Sequence, residues 1–157
     1  MTGGHRAPSD QPAPYNAGMH GRAEIESWLR RFFASGQDDV IAVYLFGSVA
    51  RGTATAASDV DVAVLLRGDP PPTLDGLLLG LEGDLERELR VPVQVVVLNS
   101  APCDLVHRVL RDGTLLLDRD PSRRIRFEVR ARNEFFDLQP FLDRYRKTGA
   151  GAGTAGR

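Results

Sequence analysis

The 157 residues carry 20 Lys and Arg against 21 Asp and Glu, a formal charge of −1, and 42% of them are hydrophobic. That is enough chain for one domain with a real core and too little for two, and the balanced charge excludes a general attraction to nucleic acid or an anionic membrane, so direct nucleic-acid binding is not expected. Cys103, the single cysteine, excludes an intrachain disulfide, and no apolar run reaches the ~20 residues of a membrane helix or forms a signal-peptide core, so a cytoplasmic protein with no membrane partner is expected.

Residues 1–21 are mostly Gly, Pro, Ala and short polar side chains, and residues 148–157 mostly Gly, Ala and Thr. Both segments are expected to be disordered, which leaves one domain over 22–147. Ile25, Trp28, Leu29, Phe32 and Phe33 follow the i, i+3, i+4, i+7, i+8 spacing of an amphipathic helix, with Gly36 at its expected C-terminal cap. The continuous apolar run from Val40 to Phe46, ended by Gly47, predicts a buried strand. A loop of small residues leads to a second strand over Asp59 to Leu66.

Pro70, Pro71 and Pro72 mark a loop, and Thr73 is placed to cap a helix whose stripe is Leu74, Leu77, Leu78, Leu81, Leu85 and Leu89. Gly76, Gly80 and Gly83 weaken that helix by roughly 1 kcal/mol each. Val91 to Leu98 predicts a third strand. Pro102, Leu105, Val106, Val109 and Leu110 predict a short helix closed by Gly113, and Leu115 to Leu117 a brief fourth strand. Asp120 and Pro121 read as the N-cap and first-turn pair of a long final helix. Its apolar positions are Ile125, Val129, Phe136, Phe141, Leu142 and Tyr145, and Pro140 is expected to kink or divide it. The order α-β-β-α-β-α-β-α implies an α+β fold, a small mixed sheet with helices packed on it and a long C-terminal helix.

The chemistry concentrates between Gly47 and Leu66. Gly47 ends a buried strand at a turn and, having no Cβ, lets backbone N–H groups approach a bulky anion. Ser48 adds a hydroxyl for a phosphate oxygen, and Arg51 and Gly52 supply positive charge and a second permissive backbone position. Asp59 and Asp61 are two apart, so on a strand both carboxylates leave the same face while Val60, Val62 and Val64 turn to the core. Two such charges repel unless a cation sits between them. A hard divalent ion with oxygen ligands, Mg²⁺ above all, fits and would bring a triphosphate with it. A lone Gly-Ser or a lone Asp-x-Asp is ordinarily a solvated turn or edge. Here strand, turn, Arg-Gly, spacer and Asp pair occur in order.

Gly47-Ser48, Arg51-Gly52 and Ser58-Asp59-Val60-Asp61 resemble the motif of the minimal nucleotidyltransferases, the MNT branch of the polymerase-β superfamily. The strand ending at Asn99, the stretch Val109 to Gly113 and the closing Arg130 to Tyr145 are similar to MntA-type antitoxins. The resemblance implies a polymerase-β-type nucleotidyltransferase fold and transfer of AMP from ATP to a tyrosine of a partner HEPN-domain toxin, a ribonuclease, in a hetero-oligomer. It implies triphosphate contacts at Gly47, Ser48, Arg51, Gly52 and Ser58, and Mg²⁺ ligands at Asp59 and Asp61. The superfamily places a third carboxylate on the next strand, as metal ligand and base. The matching position here is Gln94, and no Asp or Glu lies in that strand; the nearest acids in sequence are Glu88 and Asp104. Loss of a general base costs about 10²–10⁴ in rate, so Gln94 spares binding more than catalysis.

Arg123, Arg124, Arg126, Arg130 and Arg132 crowd the last helix, ordinarily a solvated face paired with Glu128 and Glu134. The aromatics Phe127, Phe135, Phe136, Phe141 and Tyr145 exceed what one helix buries on a small sheet and suggest a partner surface. His107 and Cys103 lack further ligands at metal spacing and read as packing or surface residues, as do Tyr44 and Trp28. Three functions follow: an adenylyltransferase acting on a partner protein, a degenerate antitoxin that neutralises by binding alone, and a small-molecule nucleotidyltransferase of the aminoglycoside-modifying kind. The last leaves little chain for a substrate pocket.

Overall fold

The computed structural model describes residues 20–149, so the disorder expected at the two ends lies almost wholly outside the described residues. The elements are α1 (Arg22–Ala34), β1 (Val40–Phe46), α2 (Gly47–Arg51), β2 (Val60–Leu66), α3 (Leu74–Leu89), β3 (Val93–Val97), α4 (Cys103–Asp112), β4 (Thr114–Asp118) and α5 (Pro121–Gly149). The strands form one sheet in the order β3-β2-β1-β4. β1 is antiparallel to both β2 and β4, whereas β2 and β3 are parallel. The parallel pair needs a crossover, which α3 supplies.

Each face of the sheet is covered. Ile25, Leu29 and Phe33 of α1 and Leu81, Leu85 and Leu89 of α3 pack with Val43, Leu45, Val62 and Val64. Val106 and Val109 of α4 and Ala131 of α5 pack with Ala42, Tyr44, Ala63 and Leu65 on the other side. Every residue of β1 is buried, as its unbroken apolar run requires. A register shift between Val40 and Ala42 puts both Ile41 and Ala42 on the second face.

The exposed edge of β3 is closed by its own crossover helix. Glu86 and Glu82, one helical turn apart, accept hydrogen bonds from the amides of Val93 (3.1 Å) and Val95 (2.8 Å). Edge amides left open would invite another strand. At the far end Asn99 extends the sheet with its side chain, accepting from the Leu66 amide at 2.8 Å and donating to the Leu66 carbonyl at 3.1 Å. Arg119 clamps the α1–β1 turn by donating to the carbonyls of Phe33, Gly36, Gln37 and Val40.

Several expectations are corrected. Gly47 to Arg51 is a helical turn, not part of a loop, because Val49 and Ala50 bury their side chains and pull the chain round. The left-handed residue after α1 is Gln37 (φ 60°), not Gly36. Thr73 precedes α3 without a side-chain capping bond. Leu77 stays 48% exposed, since α3 turns only its later leucines fully inward. α5 is not divided at Pro140. Nor do its expected apolar positions face the sheet: Ile125, Val129, Phe136, Phe141 and Tyr145 are exposed. α5 docks instead through Phe127, Glu128, Ala131 and Phe135, with His107 of α4 stacked on Phe135 at a ring separation of 3.7 Å. Asp120 does cap α5, accepting from the Arg123 amide at 3.0 Å. Among the described residues no helix is long and apolar enough to cross a membrane.

Candidate active site

β1 and β2 pair so that Phe46, the last residue before the turn, lies opposite Asp61. Gly47 then takes φ 73°, a left-handed conformation that favours glycine. A Cβ built on Gly47 would lie 1.9 Å from Asp61 Oδ2, so the carboxylate occupies the space that any side chain here would fill. Ser48 follows at the start of α2. That short helix is fixed at its far end, where Arg22 donates to the Ala50 carbonyl at 2.7 Å and Gly52 closes it with φ 72°.

Asp61 sits half-buried on β2. Burial pushes its carboxyl above the ordinary range, the neighbouring charge of Asp59 pushes it further, and Arg51 opposes both. Asp59 itself is exposed and lies one residue before β2 begins, so the strand is shorter by that residue than expected. On the parallel neighbour, Gln94 is the register partner of Asp61. The two side chains share a cleft of about 360 Å³. Gly47, Ser48 and Arg51 form one wall of it, Asp61, Gln94 and Val96 its floor, and Leu105, Arg108 and Asp112 of α4 the other wall.

The structure therefore brings Gly47, Ser48, Arg51, Asp61 and Gln94 together, with Asp59 at the margin within electrostatic reach of Asp61. Gly52 and Ser58 lie outside the cleft lining. Ser58 is engaged in its own loop, its Oγ accepting from the Thr55 amide at 2.8 Å.

Arg108 and Asp112 were not singled out as site residues from the sequence. The acid that reaches the cleft from beyond β3 is Asp112, rather than Glu88 or Asp104. Its carboxylate accepts two bonds from Arg111, at 2.8 and 2.7 Å, which hold it below the usual carboxylate range. Two signals pointed to this wall. Arg108 and Asp112 are spaced i, i+4 on a predicted helix, and Gly113 ends that helix. A Cβ on Gly113 would meet the Val109 carbonyl at 2.4 Å and the Leu45 carbonyl at 3.3 Å, so the end of α4 is pressed against β1 beside the cleft.

Among the described residues no cluster of three or more His, Cys, Asp and Glu is assembled. With Asp112 held by Arg111, the donors left are the carboxylates of Asp59 and Asp61 and the Gln94 carbonyl, all hard oxygens. They suit an ion such as Mg²⁺ that keeps much of its coordination sphere for water and phosphate.

The profile of the polymerase beta nucleotidyltransferase family matches residues 30–122. The chain belongs to this family. The match begins inside α1 and ends at the start of α5, so it contains the whole cleft of this nucleotidyltransferase. A relative from Methanocaldococcus jannaschii, named "Putative protein adenylyltransferase MJ1305", is 39% identical over 51 residues, 32% of this chain and 35% of that protein. The chain thus spans about a third of the length of that curated relative. Among solved structures, a toxin–antitoxin complex with AMP-PNP aligns with a TM-score of 0.62 at 24% identity, covering 76% of this chain and 97% of that chain. The tri-AMPylated HEPN toxin of Shewanella oneidensis in complex with its MNT antitoxin aligns with a TM-score of 0.59 at 21% identity, covering 79% and 98%. At these identities the two structures show a shared nucleotidyltransferase fold.

Proposed function

We propose that this nucleotidyltransferase transfers AMP from Mg²⁺-bound ATP to a tyrosine hydroxyl of a partner HEPN-domain ribonuclease toxin, and so serves as the antitoxin of that pair in the cytoplasm. The observation that carries the proposal is the Asp61 carboxylate seated against Gly47, beside Ser48 and within reach of the Asp59 charge. Family membership supports the reaction class. The relative named as an adenylyltransferase and the fold neighbours with AMP-PNP and an AMPylated HEPN toxin support the nucleotide and the partner.

Asp59 and Asp61 would hold the metal, which when bound offsets charge on the α-phosphate. Gly47 and Ser48 receive phosphate oxygens where only backbone and a hydroxyl intrude. Arg51 and Arg108 add positive charge from opposite walls. The acceptor oxygen forms its bond to the α-phosphorus while the bond to the bridging oxygen breaks and pyrophosphate leaves. Gln94 sits beside Asp61, where it can orient the acceptor hydroxyl by hydrogen bonding. It cannot take the proton, which passes to solvent.

That same residue favours a second reading, an antitoxin that neutralises by binding alone. Incubation with labelled ATP, Mg²⁺ and the proposed partner, a HEPN-domain ribonuclease toxin, separates the two. Label on the HEPN protein is expected; tight binding with no label supports the second reading. Gln94→Asp restores a carboxylate next to Asp61 and is expected to raise transfer at least ~10-fold, within the range a general base contributes. A slower or inert variant would show that the position does not serve the acceptor.

A further inference from the structure

A second concavity lies at the other end of the strands that floor the cleft. Between α5 and the loop after β2 runs a groove of about 850 Å³. Ile41 and Leu65 lie at its base, and Ile125 and Val129 of α5, each 50% exposed, form its wall. Arg67, Arg123, Arg126 and Arg130 border it, against the two carboxylates Asp69 and Glu134. Arg130 has Glu134 at 3.8 Å, and Arg123 has Asp120 at 3.4 Å. Arg67 and Arg126 have no side-chain hydrogen bond or ion pair among the described residues. The groove is therefore half apolar and half cationic, with positive charge left over.

We propose that this groove docks the acceptor protein, and that it takes an amphipathic helix presenting aliphatic side chains flanked by carboxylates. The proposal rests on the protein-modifying reading above and adds the surface and the chemistry of the segment it binds. Charge complementarity selects the occupant. A second copy of this chain would bring the same arginine rim against itself, which is repulsive, whereas an acidic flank pairs with Arg67 and Arg126. Single-stranded nucleic acid is disfavoured because its bases stack on exposed aromatic faces. Phe127, the aromatic that lines the groove, already has the Arg130 guanidinium over its ring at 5.8 Å.

Position makes the groove useful to the reaction. Asp61 in the cleft and Leu65 in the groove lie four residues apart on β2, and an even spacing keeps them on one face. At about 3.3 Å per residue the separation is roughly 13 Å. A helix seated in the groove would hold a neighbouring segment of the same protein close enough to present its hydroxyl beside Gln94.

The test uses the full chain and the HEPN-domain partner proposed above. Ile125→Asp combined with Val129→Asp places charge on the apolar wall without touching the cleft. It is expected to weaken the complex at least ~30-fold, as loss of interface hot-spot residues does, and to leave affinity for Mg²⁺·AMP-PNP unchanged. Arg126→Glu, a fully surface change, is expected to weaken it in the same sense. Hydrogen exchange on the unmodified pair should show protection at Arg123 to Glu134 on complex formation. Wild-type affinity in both variants with no such protection would overturn the docking site, even if label still reaches the partner. A groove that binds labelled RNA instead, or variants that change only the oligomeric state of this chain, would overturn it too. If the complex forms through the groove but no label is transferred, the docking stands and the catalytic reading fails.

Discussion

Asp61 carries a conflict between folding and chemistry. Its carboxyl is raised first by burial and then by Asp59, with Arg51 only partly compensating. A carboxyl raised in the folded state holds its proton longer than in the unfolded chain. The metal-free protein is therefore favoured at pH below the ordinary carboxylate range, and that contribution is lost as pH rises from there through the raised folded value. Asp61→Asn removes the charge while nearly keeping the shape. Without metal at pH 7, the variant should melt a few degrees higher than the parent, and the difference should close near pH 4. Addition of Mg²⁺ and AMP-PNP should raise the melting temperature of the parent and not of the variant. A variant that is less stable at pH 7, or that still responds to Mg²⁺-nucleotide, would remove Asp61 from the metal site. Gly47 belongs to the same conflict: it accommodates that carboxylate only because it has no side chain.

Between elements, α5 is fastened by a polar network as well as by the packing of Phe127, Ala131 and Phe135. Tyr44 of β1 donates to Glu128 at 2.7 Å, Arg124 donates to the same oxygen at 2.8 Å, and Arg124 Nε donates to Asp118 of β4 at 2.9 Å. Burial and then the Glu128 bond push the Tyr44 phenol far up, so it remains a donor at any working pH. Asp118 Oδ1 is buried without a partner, so this network has little slack. Glu128→Ala would strand the phenol and leave the Arg124 guanidinium, whose side chain is 16% exposed, with Asp118 alone. It should cost about 2–4 kcal/mol in urea unfolding, whereas Tyr44→Phe, which removes donor and desolvation cost together, should cost about 1 kcal/mol. Equal effects would mean that the network does not act as a unit. The pairing of Arg124 with Glu128 was legible from their spacing, but the links to Tyr44 and Asp118 were not, and Tyr44 looked like a packing residue, because a hydrophobic period identifies a side of an element but not what meets it. The same limit inverted the reading of α5, whose regular apolar positions face solvent while Ala131 and Glu128 face the sheet. Five residues of α2 are too few to show a period, so that helix read as a turn. What did read correctly was local and redundant: the Val40–Phe46 run, the spacing of Ile25, Leu29 and Phe33, the Asp120 cap, and the placement of Gln94 beside Asp61. Asp112 was missed because only the tertiary closure at Gly113 brings it to the cleft.

For the molecule as a whole, the lengths of sheet and helix do not match. Strands of five to seven residues span at most about 23 Å, while 29 residues of α5 extend for about 43 Å. Roughly half of the helix must therefore project beyond the layer it packs on. The contacts that fasten it to β1, β4 and α4, from Arg124 through Glu128 and Ala131 to Phe135, lie in its first half. From Phe136 to Lys147 every side chain except Leu142 is exposed, with Phe141 at 65%. Pro140, which offers no amide to the helix ladder, sits in this exposed half. A chain ended after Gln139 should consequently keep its melting temperature within about 3 °C, since the lost segment removes little buried surface. It should also keep Mg²⁺·AMP-PNP binding, because both walls of the cleft are untouched. The groove residues end at Glu134, so affinity for the acceptor protein should persist as well. A fall in melting temperature of 8 °C or more, about the shift that 2–4 kcal/mol produces in a domain of this size, would mean instead that the projecting half is held against the fold.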